Sequence, residues 1–169
     1  MASSRRMMID VKKFTELEKV QEEKNLEYRF RMELNTPDVL KVMNIYITQI
    51  TPEGDSAIEK QMAKLGIPHL HLEYTFSDDH PYKPPFVRFI TPRFIFKTGN
   101  VTMGGSICME LLTNQGWSPM NDVENVLRQI ILQLQLGEGV IDEANPGRAY
   151  GLAEAKEAYA RMLASHGWK

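Results

Sequence analysis

The chain has 169 residues, 43% hydrophobic and 25% charged, an ordinary globular composition that allows one core burying about two-thirds of the unfolded surface. Its 20 basic and 22 acidic residues are well mixed and leave a formal charge of −2, which supplies no long-range field for DNA, RNA or an anionic membrane. No apolar run reaches the roughly 20 residues that span a bilayer, and MASSRRMMID carries charges where a secretory signal has its apolar segment, so the expectation is one intracellular domain over residues 1–169, cytoplasmic and/or nuclear.

From Met7 to Gln21 the apolar residues Met7, Val11, Phe14, Leu17 and Val20 recur at three- and four-residue steps, which predicts an amphipathic helix with Arg5 and Arg6 just ahead of it. Tyr28, Phe30, Met32 and Leu34 alternate with polar residues as in a half-buried strand. Asn35-Thr36-Pro37-Asp38 reads as a turn and Val39–Thr48 as the second strand of a hairpin. The stretch from Thr51 to Gly66 leaves the sheet through a Pro-Glu-Gly-Asp-Ser loop and a short helix, Ile58–Leu65, closed by Gly66.

HLHLEYTF then predicts a third strand with Leu70, Leu72, Tyr74 and Phe76 on one face, and FVRFI a fourth, with Pro81, Pro84 and Pro85 preventing ladder pairing between them. Residues Thr91–Met120 carry too many glycines and prolines for a long regular element, yet are apolar enough to pack on the core; structureless segments of such length are usually functional. Val126, Leu127, Ile130, Ile131 and Leu134 restore helical spacing from Val123, with Asn121 or Asp122 as N-cap. After GEGVIDEANPG, a last helix carries Leu152, Ala155, Tyr159 and Met162 on one side. The predicted class is α+β: an N-terminal helix, a four-stranded antiparallel meander with an inserted helix, and C-terminal helices.

His69, His71, His80 and His166 show no zinc spacing, and no third ligand stands near His69 and His71, so no metal is expected. Cys108 is the only cysteine and lies between Gly104-Gly105 and Trp117-Ser118-Pro119. An isolated cysteine in an apolar segment is more often a buried structural residue. Against that, the diglycine permits a close backbone approach or positive φ, and no disulfide partner exists. As a nucleophile, Cys108 lacks a signature histidine for cysteine-protease chemistry. Exchange with a thioester asks for less, since the acyl group arrives activated and a thiol of pKa roughly 8.5 supplies a few per cent thiolate at neutral pH.

HPYKPP over His80–Pro85, Asn100 eight positions before Cys108, and Trp117-Ser118-Pro119 after it resemble the active-site region of ubiquitin-conjugating enzymes. GGSICMELLTNQGWSP, the helical insertion ending in Gly66, and the tail from Tyr150 through Tyr159 to Gly167-Trp168 resemble their Q-type branch, whose longer members carry a further N-terminal region. The likeness covers most of the chain. It implies the ubiquitin-conjugating-enzyme fold and a transferase without a cofactor, ATP being consumed upstream: Cys108 accepts ubiquitin as a thioester from an activating enzyme and yields it to a substrate lysine or a ligase thiol.

By position, the resemblance makes Asn100 the side-chain amide that stabilises the developing oxyanion. The tripeptide here is Thr98-Gly99-Asn100 where the family has His-Pro-Asn, and a loop-structuring or solvent-facing Asn100 is the alternative. Asp142 and Glu143 are the acids for orienting an acceptor lysine, with a solvated acidic loop as the plain alternative. Tyr82, Pro119 and Met120 fall where ligases dock, and Arg5, Arg6, Lys12 and Lys13 where the first helix meets the activating enzyme. The bland counterparts are a loop-packing Tyr82 and a solvated basic helix face, and Trp117 is expected to be mainly structural. The diglycine is expected to let an extended peptide tail lie beside the thiol. The other readings are a catalytically silent ubiquitin-binding variant and an enzyme for another ubiquitin-like modifier.

Overall fold

The computed structural model describes residues 2–36 and 39–169; Pro37 and Asp38, the centre of the expected turn, lie outside the described residues. Among the described residues, four α-helices and four strands follow in the order α1 (Ala2–Val20), β1 (Arg29–Thr36), β2 (Val39–Gln49), α2 (Ala57–Leu65), β3 (Leu70–Thr75), β4 (Phe86–Thr91), α3 (Val123–Leu136) and α4 (Leu152–His166). The strands form one antiparallel sheet in the order β1-β2-β3-β4. Contrary to the expectation that Pro81, Pro84 and Pro85 prevent ladder pairing between the third and fourth strands, β3 and β4 do pair, Leu72 facing Phe89 and Tyr74 facing Val87, because the prolines lie in the connection and not in either strand.

Register turns the alternation in the sequence into rows across the sheet. Met32, Ile45, Leu72 and Phe89 form one row, and Leu34, Met43, Tyr74 and Val87 the next. All but Met32 and Leu34, on the edge strand, are fully buried. Val11, Phe14 and Leu17 of α1 and the expected stripe of α3 join them in one core, with the Phe14 and Phe30 rings stacked at 4.5 Å. The opposite face is polar: Tyr46 stacks on His71, whose Nε2 lies 2.8 Å from Asn44 Oδ1.

α1 begins before the expected Met7, so Arg5 and Arg6 lie within the helix rather than ahead of it. Its first turns are held by polar contacts, including the Arg6–Asp10 ion pair at i,i+4, and so leave no apolar period in the sequence. Asp122 is the N-cap of α3, its carboxylate accepting from Asn125 N. The irregular segment contains a short 3-10 helix, Glu110–Leu112. On α4 the buried face is Ala155, Ala158 and Met162, with Tyr159 half-buried, whereas Leu152 is exposed. These three buried residues stand outside the main core, so α4 is placed by something other than bulk hydrophobic burial. Among the described residues, no helix is long and apolar enough to cross a membrane.

Candidate active site

Cys108 is half-buried and lines a cavity of about 490 Å³. One wall comes from Phe96, Lys97, Asn100 and the irregular stretch Val101, Thr102 and Met103, the other from α4 through Ala158, Arg161, Met162, Ser165 and His166. Burial pushes the Cys108 thiol up from its ordinary value, because desolvation penalises the thiolate. The backbone around it is tightly tied: Cys108 N–H donates to Asn100 O at 2.7 Å, Ile107 N–H to Val87 O at 3.3 Å, and Val101 bridges Ile107.

The Thr98-Gly99-Asn100 loop supplies its own braces. Gly99 and Asn100 both take positive φ, 63° and 58°, a region open to glycine and tolerated by asparagine. Gly99 N–H donates to Gly137 O at 2.8 Å; the Thr98 hydroxyl donates to Ile95 O and accepts from Val140 N. The Asn100 amide nitrogen donates to both the backbone O and side-chain Oε1 of Gln133, at 3.1 and 2.9 Å. The side chain expected at the oxyanion thus fastens the loop to the end of α3, the loop-structuring alternative. A Gly-Asn pair is a sequence signal for such a turn, but nothing local points to Gln133.

The diglycine has a different occupant from the one expected. A Cβ on Gly104 would overlap the Glu154 carbonyl and sit 2.9 Å from Ala158 Cβ; one on Gly105, whose φ is 92°, would sit 2.5 Å from the Tyr150 ring. Both glycines are buried under α4 and the residue leading into it, so their open backbone is filled by the chain itself and no separate tail can lie there.

The model of the ubiquitin-conjugating enzyme family matches residues 15–166. The chain belongs to the ubiquitin-conjugating enzyme family. It is 31% identical over 169 residues to a Q-like ubiquitin-conjugating enzyme protein of Drosophila melanogaster, covering 98% of this chain and 52% of that protein. It is 34% identical over 130 residues to the human Q-like ubiquitin-conjugating enzyme protein 1, covering 74% of this chain and 78% of that one, so within the family it falls in the Q-type branch. The chain spans about half the length of the Drosophila relative and 32% of the human ubiquitin-conjugating enzyme E2 Q1. The solved human ubiquitin-conjugating enzyme E2 G1 superposes with a TM-score of 0.56 at 24% identity, covering 77% of this chain and 94% of that one, a likeness of fold.

Of the residues the family resemblance singles out, Tyr82 and Met120 are 75% and 87% exposed, and Pro119 is exposed beside Met120. The structure brings their loops together: Trp117 Nε1 donates to Pro81 O at 2.7 Å, a structural role for that ring. Arg6 joins α1 to the same place, donating to Pro119 O at 3.0 Å and Asn121 O at 3.2 Å as well as to Asp10. Asp10 in turn meets the buried His80 ring, Nε2 to Oδ2 at 2.7 Å. Lys13 pairs with Asp122, which raises its pKa by hydrogen bonding and charge. Arg5 and Lys12 are exposed.

Asp142 and Glu143 do not line the cavity at Cys108. Asp142 Oδ1 accepts from Ala144 N within its own loop. Glu143 accepts from Lys64 and Gln61 of α2, and these hydrogen bonds hold its carboxyl below the usual range. The sequence does not point to the α4 wall as part of the site; of its residues only Met162 stands out there, as apolar helix face. Ala158, Arg161, Met162 and Ser165 follow helical spacing on one face, but only the tertiary position of α4 connects that face to Cys108.

Proposed function

We propose that the chain is a thioester-forming ubiquitin-conjugating enzyme, with Cys108 as the acyl acceptor. The observation that carries this is that the only cysteine lines a sizeable cavity; the motifs around it, which resemble the family's active-site region, support the same reading. In charging, the Cys108 Sγ–acyl bond forms as the activating enzyme's thioester C–S bond breaks, and the Cys108 proton ends on the departing thiolate. A thiol held neutral by burial is a slow nucleophile, so the reaction depends on an acyl group that arrives activated, with ATP consumed upstream and no cofactor in this chain.

In discharge, a lysine amine or ligase thiol attacks the carbonyl carbon, and negative charge collects on its oxygen. Asn100, whose carbonyl accepts from Cys108 N–H, is the side-chain amide for that oxygen. To serve there it exchanges its bonds to Gln133 for the oxyanion, so its part in catalysis includes a change of partner. The exposed Tyr82 and Met120 with Pro119 are the ligase-docking residues, and Arg5 and Lys12, exposed and without an ion pair among the described residues, are cations for the activating enzyme. Arg6 and Lys13 hold α1 to the loop ahead of α3.

The deciding experiment is incubation with activating enzyme, ubiquitin and ATP followed by a non-reducing gel. A thiol-sensitive adduct is expected, replaced in Cys108→Ser by a thiol-resistant oxyester and absent in Cys108→Ala. No adduct with ubiquitin or any ubiquitin-like modifier sinks the enzyme reading and leaves a binding module of the same fold.

A further inference from the structure

Helix α4 buries only two alanines and a methionine, yet it is anchored at several points around Cys108. Before the cysteine, the Tyr150 ring lies on Gly105 and the first turn of α4 on Gly104. After it, Tyr159 Oη donates to Leu112 O at 2.7 Å. The lead-in is pinned as well: Tyr150 Oη accepts from Phe94 N at 2.8 Å, and Arg93 donates to Ala149 O and the Glu154 carboxylate at 3.1 and 2.6 Å. These anchors hold one face of α4 across the cavity from the sulfur.

We propose that Gly104 and Gly105 are positioning residues that seat α4 beside Cys108, so that Ala158, Arg161, Met162 and Ser165 form the second wall of a groove holding the extended tail of the incoming modifier. The proposal rests on the reading of Cys108 as acyl acceptor and names what that site grips. From Ala158 to Ser165 the helix runs about 10 Å, the length of about three extended residues. An extended peptide presents unpaired carbonyl and amide groups along that distance. Arg161 is exposed and, among the described residues, makes no hydrogen bond or ion pair, leaving its guanidinium donors for peptide carbonyls. Met162, with Phe96 and Met103 opposite, supplies the apolar surface. The occupant is therefore the modifier's own C-terminal peptide, joined at its end to Sγ.

The test uses the full chain and two synthetic thioesters with the same leaving thiol: a short peptide carrying ubiquitin's C-terminal sequence, and an acetyl group. Gly104→Ala and Arg161→Ala are each expected to raise the half-saturating concentration of the peptide thioester about fivefold or more, with the maximal rate changed by less than about twofold. The ratio of peptide to acetyl capture falls in parallel. If Arg161→Ala captures both thioesters like the wild type, the wall is refuted. If Gly104→Ala loses both in equal proportion, the glycine only supports folding and its positioning role is refuted. A wild-type chain that captures no peptide thioester also overturns the groove. The two readings fail separately: peptide capture without enzymatic charging by any modifier removes the conjugating function, and charging without peptide selectivity in the variants removes the groove alone.

Discussion

Cys108 and Asn100 show how far single residues can be understood from their neighbours. Because burial penalises the thiolate, alkylation of Cys108 by iodoacetamide is expected to climb roughly tenfold per pH unit through neutrality. Its inflection should lie above that of the same cysteine in the unfolded chain, and one at or below it would reveal a hidden cationic activator. Asn100→Ala puts a Cβ-bearing residue without a polar side chain at positive φ and drops the Gln133 bonds, which should cost about 1–3 kcal/mol in urea unfolding. Asn100→Gly keeps the backbone conformation and should lose less. If the amide also serves the oxyanion, Asn100→Ala slows lysine discharge more than charging; equal slowing of both steps would assign it to loop structure alone. The lone cysteine and the asparagine eight positions ahead were legible in the sequence. The fastening to Gln133, far along the chain, was not, because that contact exists only once α3 has packed.

Periodicity carried the elements that bury one face against the sheet, such as β3, whose Leu70, Leu72 and Tyr74 are all fully buried. It missed the first turns of α1, whose order comes from Arg6 and Asp10 rather than from apolar spacing. The inserted helix α2 was read from its own apolar pattern and from Gly66, which does close it in the left-handed conformation. Its start depends on one carboxylate. Glu59 accepts from Ile50 N, Thr51 N and Oγ1, and Ser56 N and Oγ, joining a capping box to the end of β2. Desolvation pushes the Glu59 carboxyl up, but the hydrogen bonds from Thr51, Ser56 and Ile50 outweigh it and leave the pKa lowered. A lowered folded pKa means that stability is present above the unfolded carboxyl value and lost as pH falls through the folded one. Glu59→Gln should therefore destabilise by about 1–3 kcal/mol at pH 7. Its deficit against the wild type should shrink as acid protonates Glu59, measured by urea unfolding across pH 3 to 7; a constant deficit would show that charge is not what matters there.

Across the whole molecule, the fold class and strand order followed from the chain order of the elements, whereas the packing of the irregular segment did not. Residues Thr91–Met120 are ordered by distant partners: Phe94 bridges Ile141, Ser106 bridges Arg88, and Gly104 meets α4. No window of local sequence contains both halves of such contacts. Tyr150 joins three of these regions, since its ring covers Gly105, its hydroxyl accepts from Phe94 N, and its carbonyl accepts from the buried Arg88 at 3.1 Å. Tyr150→Phe should leave a buried N–H unpaired and cost about 1–3 kcal/mol. Amide exchange at Phe94 should rise with it, and unchanged protection there would show that another acceptor takes over.

The amide of Cys108 is already committed to the Asn100 carbonyl. In chymotrypsin-like serine proteases the nucleophile's own N–H belongs to the cradle that lets water finish the reaction. An acyl group on Sγ, as the proposed function requires, would find no such donor in its own residue, so water would gain little help in removing it. On the proposed thioester reading, the expected outcome is a loaded chain that loses its acyl group slowly in buffer and quickly once an acceptor arrives, which a time course of the adduct on non-reducing gels checks.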